Sequence, residues 1–154
     1  TVKFVSIDPY KIVVTGRIKH FISAFGEHVI GEEVEAALLQ VAAQTNASIT
    51  EFTVAPFVAG LDTSGKSYHE WFIAFEKAPA NLDDFGAQLD TAMRQQNVYY
   101  DDLIVGNVLR PLVITNVLKN GFQDYMKSIG KLGGQNKIPR LSNDRKIADA
   151  LNPK

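Results

Sequence analysis

Residues 16–35 read GRIKHFISAFGEHVIGEEVE, and the way this stretch breaks decides how the rest of the chain is read. A strand-like run, RIKHFIS, carries Ile18 and Ile22 and ends in a segment punctuated by Gly26 and Gly31. Beyond Gly31 the acids Glu32 and Glu33 fall in a first helical turn, where negative charge meets the positive end of the helix. Val34, Leu38, Val41 and Ala42 then recur on one face, which predicts a helix over residues 31–45. The unit is a strand, a loop with glycine breaks, and a helix.

Working outward, residues 49–58 and 67–76 predict two strands joined through GLDTSGK, whose Gly60 and Gly65 suit a turn. In the second strand Trp71, Ile73 and Phe75 alternate with Glu70, Phe72 and Ala74. A second helix is predicted over 82–96 from the stripe Leu82, Phe85, Leu89 and Met93, and a further strand over 110–118. From Arg17 onward the order is β-α-β-β-α-β. The expected class is therefore α+β, a ferredoxin-like sheet with helices on one face. Ahead of it, residues 3–7 and 11–15 read as a β-hairpin around Asp8-Pro9-Tyr10. Behind it come two helical segments near 120–129 and 142–151. Trp71, Phe75, Phe85 and Phe122 are expected in the core.

At 154 residues the chain has the length of one domain, 45% apolar and 21% charged, an ordinary globular composition. No apolar run is long enough to span a bilayer, so no membrane partner is expected, and a cytoplasmic setting is. The absence of cysteine excludes disulfides and thiolate metal sites. His20, His28 and His69 show no helical ligand spacing, so no metal site is expected. Ser23 lacks a nucleophile-elbow context, and Asp101-Asp102 reads as a solvated turn. The net charge of −1 conceals an asymmetry: residues 127–154 carry seven basic and two acidic side chains. From charge alone a basic tail on an acidic body reads as a solvated, helix-bearing tail or as the place of a local anion rather than of nucleic acid, and no ribonucleoprotein aromatic motif is present.

The segment GKLGGQNKIPR lies within that basic tail. Gly130, Gly133 and Gly134 allow the backbone to approach a ligand, while Lys131, Lys137 and Arg140 supply cations. Successive amides beside a lysine suit phosphate, although no Ser or Thr follows a Gly-Lys pair as in a P-loop, and taken alone the segment also reads as a mobile surface loop.

The 16–35 stretch resembles the segment that opens the C-terminal domain of luciferase-like acyl-adenylate-forming enzymes: Gly16-Arg17, then Lys19, Gly26 and Glu33-Val34-Glu35. Ser23 departs from that pattern, standing where many members have Lys. HFISAFGEHV, YYDDLIVGNVLRPL and KLGGQNKIPRLSNDRKIADAL resemble, more narrowly, the auxin-responsive acyl-acid amido synthetase family, in its bacterial branch. The resemblance implies that residues 1–154 are one C-terminal lid domain of a larger enzyme. A start at Thr1 inside a strand pattern fits a piece cut from a longer chain.

From the resemblance follow expectations for function. The parent would bind ATP and Mg2+, mainly through an N-terminal domain that is also this domain's partner. It would adenylate a carboxylic acid and pass the acyl group to an amine, an amino acid in the plant branch. Lys137 matches the adenylation lysine, and Arg17, Lys131, Gly133, Gly134 and Arg140 would contact nucleotide or phosphate. Lys19 would be the hinge, and the loop of Ser23, Ala24, Phe25, Gly26 and Glu27 would face the acyl-adenylate. An ion pair from Arg17 to Glu33 or Glu35 is the plainer role for that arginine. Two alternatives stay open: a ligase that ends in a coenzyme A thioester, and a non-catalytic ferredoxin-like binding module.

Overall fold

A computed structural model describes residues 2–14, 21–60, 65–133 and 136–152. Arg17, Lys19 and Gly134 lie outside the described residues. In chain order the elements are β1 (Val2–Ile7), β2 (Tyr10–Val14), β3 (Phe21–Ile22), β4 (Val29–Ile30), α1 (Gly31–Gln44), β5 (Ser48–Phe57), β6 (Tyr68–Lys77), α2 (Leu82–Gln96), α3 (Val98–Val105), β7 (Val113–Asn116), α4 (Gly121–Ser128) and α5 (Lys146–Leu151).

The apolar spacing that predicts α1 is the spacing that buries it. Val34, Ala37, Leu38, Val41 and Ala42 face inward, and the Ile30 amide donates to Glu33 Oε2 at 3.0 Å. Helix α2 is capped by Asn81, whose Oδ1 accepts from the Asp83 and Asp84 amides at 2.9 and 3.1 Å. Asn97 ends α2 and caps α3 by accepting from the Tyr100 amide at 2.8 Å. Its side-chain amide also donates to Glu33 at 3.0 Å, tying the starts of α1 and α3 together. The sequence reading has no α3. Only Tyr100 of its eight residues is fully buried, so no stripe marks it.

Strands β5 and β6 pair antiparallel, with Phe52 opposite Ile73 and Val54 opposite Trp71. Strand β7 lies parallel to β6, with Glu70 opposite Val113 and Ile73 opposite Asn116. The α+β class is as expected, and the sheet differs from the ferredoxin-like one in its membership. Strand β3 pairs with β4 in a two-stranded ribbon of its own, Phe21 opposite Ile30. The place beside β6 that a first strand would take is filled by β7, which the α2–α3 crossover delivers parallel to β6. On the other edge, Leu141 bridges to Val54 in parallel, so the segment after the glycine loop borders the sheet. The Val54 amide donates to the Arg140 carbonyl at 2.9 Å and the Ser142 amide to the Val54 carbonyl at 3.0 Å.

Both faces of the sheet are covered. Phe52, Val54, Trp71 and Ile73 pack with α1, α2 and α3 on one side. Ala55, Phe72 and Ala74 meet Phe122 of α4 and Ala148 and Leu151 of α5 on the other. The two C-terminal helices are thus the second outer layer. This double burial explains why β6 is buried continuously from His69 to Ala74 instead of alternately. Trp71, Phe85 and Phe122 are core residues, and Phe75 is half-buried with its ring edge-on to Phe85. Strands β1 and β2 form a separate ribbon, with Phe4, Ile7 and Tyr10 exposed.

Candidate functional site

The glycine-rich segment follows α4 directly. Gly130 and Gly133 adopt φ of +67° and +90°, conformations that a Cβ disfavours. The Lys131 amide closes α4 onto the Met126 carbonyl at 2.8 Å, and Asn136 Nδ2 donates to the Gly133 carbonyl at 3.3 Å. Ile138 then drops into the core between the sheet and the C-terminal helices. Between these anchors the segment walls a cleft of about 310 Å³ with Phe122, Met126 and Ile138 on its apolar side. Lys119, Lys131 and Lys137 all line it, together with Gly133 and Asn136.

Three lysines around one cleft make a cationic field, and their side chains differ in availability. Lys119 Nζ is held by Glu76 at 2.9 Å, both residues largely exposed. Lys131 and Lys137 are exposed and have no ion-pair partner among the described residues. Glu51, the carboxylate lining the cleft, is engaged by Arg140. The donor set of ammonium groups and exposed backbone suits phosphate oxygens. No group of three His, Asp or Glu among the described residues is placed to hold a metal ion.

Arg140 lies three residues past Lys137 and is a structural anchor here. Its Nε donates to Glu35 Oε1 at 2.9 Å, its Nη1 pairs with Glu51, and its guanidinium lies 4.5 Å from the Phe52 ring centre. Burial pulls its pKa down, but the two carboxylates outweigh that and hold it above the ordinary arginine value. The Thr53 hydroxyl donates to the Pro139 carbonyl at 2.7 Å next to it. The structure brings Lys131, Gly133 and Lys137 to the cleft, whereas the Arg140 fork is turned to Glu35 and Glu51. Glu35, read as a possible partner of Arg17, is paired with Arg140, and Glu33 serves the helix cap.

The loop of Ser23 to Glu27 joins β3 to β4. Ala24 and Gly26 face solvent, Ser23 and Phe25 are half-buried, and Glu27 is wholly buried. Gly26 has φ +93° and His28 φ +45°. Asn143 pins the loop's first residues: its Oδ1 accepts from the Ser23 amide at 3.1 Å and its Nδ2 donates to the Phe21 carbonyl at 2.7 Å. Asn143 follows Arg140 on the strand-edge segment, so the two motifs singled out in the sequence are joined through one side chain. Glu27 Oε1 lies 2.8 Å from His69 Nε2 on β6. Burial alone would raise the Glu27 pKa, yet the hydrogen bond and charge of His69, with the backbone amides, bring it below the ordinary glutamate value.

Sequence reading missed Lys119, Glu51, Asn143 and His69. Only the position of His69 carried a signal, a polar residue in register with the buried face of an apolar strand.

Together these features define an α+β domain with a lysine-lined cleft beside a glycine loop. Residues 32–146 match the model of the GH3 family C-terminal domain, and the chain belongs to that family. Among solved structures it is similar to a GH3.15 acyl acid amido synthetase, with a TM-score of 0.73 and 14% identity over 92% of this chain. It is also similar to AtGH3.15 acyl acid amido synthetase in complex with 2,4-DB, with a TM-score of 0.70 and 15% identity over 92% of this chain. At such identities the likeness is one of fold. The chain spans 27% and 26% of the length of those two structures. No curated protein matches the sequence. No helix among the described residues is long and apolar enough to cross a membrane.

Proposed function

We propose that this chain is the mobile C-terminal domain of a cytoplasmic, ATP-dependent ligase that adenylates a carboxylic acid and transfers the acyl group to an amine, an amino acid being the natural class. The observation that carries the reading is the cleft in which Lys131 and Lys137, without an ion-pair partner among the described residues, stand beside the left-handed Gly133. In the first half-reaction a carboxylate oxygen attacks the α-phosphorus of ATP, the bond to the β-phosphate oxygen breaks, and pyrophosphate leaves. Charge grows on phosphoryl oxygens, and a fixed ammonium group there lowers the barrier. Lys137 is assigned that role, with Lys131, Gly133 and Gly134 as phosphate contacts. Arg17 is assigned a nucleotide or interdomain contact, and Arg140 reaches phosphate only by leaving Glu35 or Glu51. ATP and Mg2+ would be held mainly by an N-terminal domain, the partner of this one; Mg2+ would there offset the negative charge of the phosphates.

In the second half-reaction the amine nitrogen attacks the acyl carbon, AMP leaves, and the nitrogen gives up a proton. Rotation about Lys19 would withdraw Lys137 and bring Ser23, Ala24, Phe25, Gly26 and Glu27 towards the acyl-adenylate. The test is carboxylate-dependent ATP–pyrophosphate exchange by the full-length ligase, wild type against Lys137→Ala. The expected loss is on the order of 10²-fold, with folding stability unchanged because the side chain is exposed and has no ion-pair partner among the described residues. Exchange that survives the substitution would move the catalytic cation elsewhere, and a thioester instead of an amide product would correct the acceptor.

A further inference from the structure

A buried, paired histidine and glutamate lie outside the cleft: Glu27 ends the loop assigned to the second half-reaction, and His69 has no part in the steps assigned above. Glu27 is 0% exposed and His69 is 2% exposed, and their side chains meet at 2.8 Å. A fold that needed only packing here would do as well with apolar side chains, since a buried pair seldom stabilises more than its hydrophobic replacement. The pair instead spans two parts of the molecule. His69 belongs to the rigid central strand β6, and Glu27 to the loop that runs from β3 to β4.

Glu27 has a second attachment. Its Oε2 accepts from the Phe25 amide at 2.8 Å, so one carboxylate clasps both the loop backbone and the core. The backbone is bent to make this possible. Gly26 at φ +93° and His28 at φ +45° flank Glu27, whose side chain turns inward while both neighbours stay at the surface. A left-handed non-glycine residue costs free energy and persists only where its surroundings hold it. The His69 ring is itself packed, 5.1 Å from the Tyr100 ring, and the Tyr100 hydroxyl donates to Asp90 at 2.7 Å. The groups that face the pair are thus Tyr100 from α3, with Asp90 of α2 behind it. Because an ionised carboxylate only accepts, Nε2 must carry the proton of the shared hydrogen bond.

We propose that His69 is a positioning residue: by donating to Glu27 it fixes the Ser23–Glu27 loop, through the Phe25 amide, in the shape that the amide-forming half-reaction uses. The loop's part in that half-reaction rests on the function proposed above; the hold itself does not. Two readouts separate them. In this chain, His69→Leu should speed hydrogen exchange of the Phe25 amide on the order of 10²-fold, with the β5 and β6 amides little changed. His69→Gln, whose amide nitrogen can occupy about the place of Nε2, should restore protection. In the full-length ligase, His69→Leu should slow acyl transfer to the amine about 10-fold or more and leave ATP–pyrophosphate exchange within about 2-fold.

Phe25 protection as strong in His69→Leu as in wild type overturns the proposal. So does a uniform rise in exchange across the core, or an equal loss of both half-reactions that His69→Gln does not rescue. If His69→Leu does not fold, His69→Phe reads the same hold, since it keeps a ring against Tyr100 but cannot donate to Glu27. Phe25 exchange should then rise about 10-fold, and no rise overturns the proposal. Wild-type ligase without pyrophosphate exchange on any carboxylic acid would defeat the adenylation reading, while the Phe25 exchange result would still decide the hold.

Discussion

Replacing Arg140 with alanine tests whether the cleft's lysine segment is anchored as described. The Arg140 side chain is 36% exposed, and those of its partners Glu35 and Glu51 are 49% and 28% exposed. Solvent screens pairs of this kind, so each contributes about 0.5–1 kcal/mol rather than the several of a fully buried pair. The contact with the Phe52 ring at 4.5 Å adds about 0.5–1 kcal/mol. Arg140→Ala should therefore cost about 2 kcal/mol, read as a shift in the urea midpoint at constant slope. In a domain of 154 residues that corresponds to a fall in Tm of roughly 4–8 °C. Arg140→Lys keeps the charge but loses the fork that serves two carboxylates at once, and should recover no more than half of the loss. At 1 M salt, where the screening length is about 3 Å, the gap between wild type and alanine variant should narrow. A loss below about 0.5 kcal/mol would refute the anchoring role and leave Arg140 free to serve as a phosphate contact.

Two further predictions concern the parts that frame the site. Asn81→Ala removes a cap that satisfies two α2 amides and should cost about 1 kcal/mol in thermal unfolding, most of it restored by Asn81→Ser. The Glu27 carboxyl is lower in the folded chain than its ordinary value of 4.5, so its ionisation favours the folded state at higher pH. That contribution is complete above about pH 4.5 and is lost as pH falls through the folded value. The stability difference between wild type and Glu27→Gln, followed by urea denaturation, should therefore be steady near neutrality and shrink below pH 4.5; a difference that grows on acidification would contradict the pairing with His69.

What the sequence determines by itself is local. Helical spacing from Val34 to Ala42 places α1, the stripe from Leu82 to Met93 places α2, and Gly130 and Gly133 mark where the chain leaves regular structure beside its lysines. Such patterns are legible because a helix or strand repeats over a few residues and its buried face repeats with it. The resemblance carried by the Gly16–Glu35 and Lys131–Leu151 stretches is likewise a property of contiguous residues, and the family match over 32–146 agrees with it.

Which elements meet is a different matter. Arg140 finds Glu35 across 105 residues, Asn143 finds Ser23 across 120, and Glu27 finds His69 across 42. No periodicity encodes those partners. Strand β3 has the composition of a sheet member, yet it pairs with β4 because the α2–α3 crossover sets β7 against β6. Tertiary structure therefore decided that Arg140 anchors the segment while Lys137 has no ion-pair partner among the described residues, and that a surface loop is held from inside by a histidine on the central strand. The physical reason is that a polar group drawn out of water, wholly or in part, must find its partner wherever packing brings one within hydrogen-bond reach, and distance along the chain has no part in that choice.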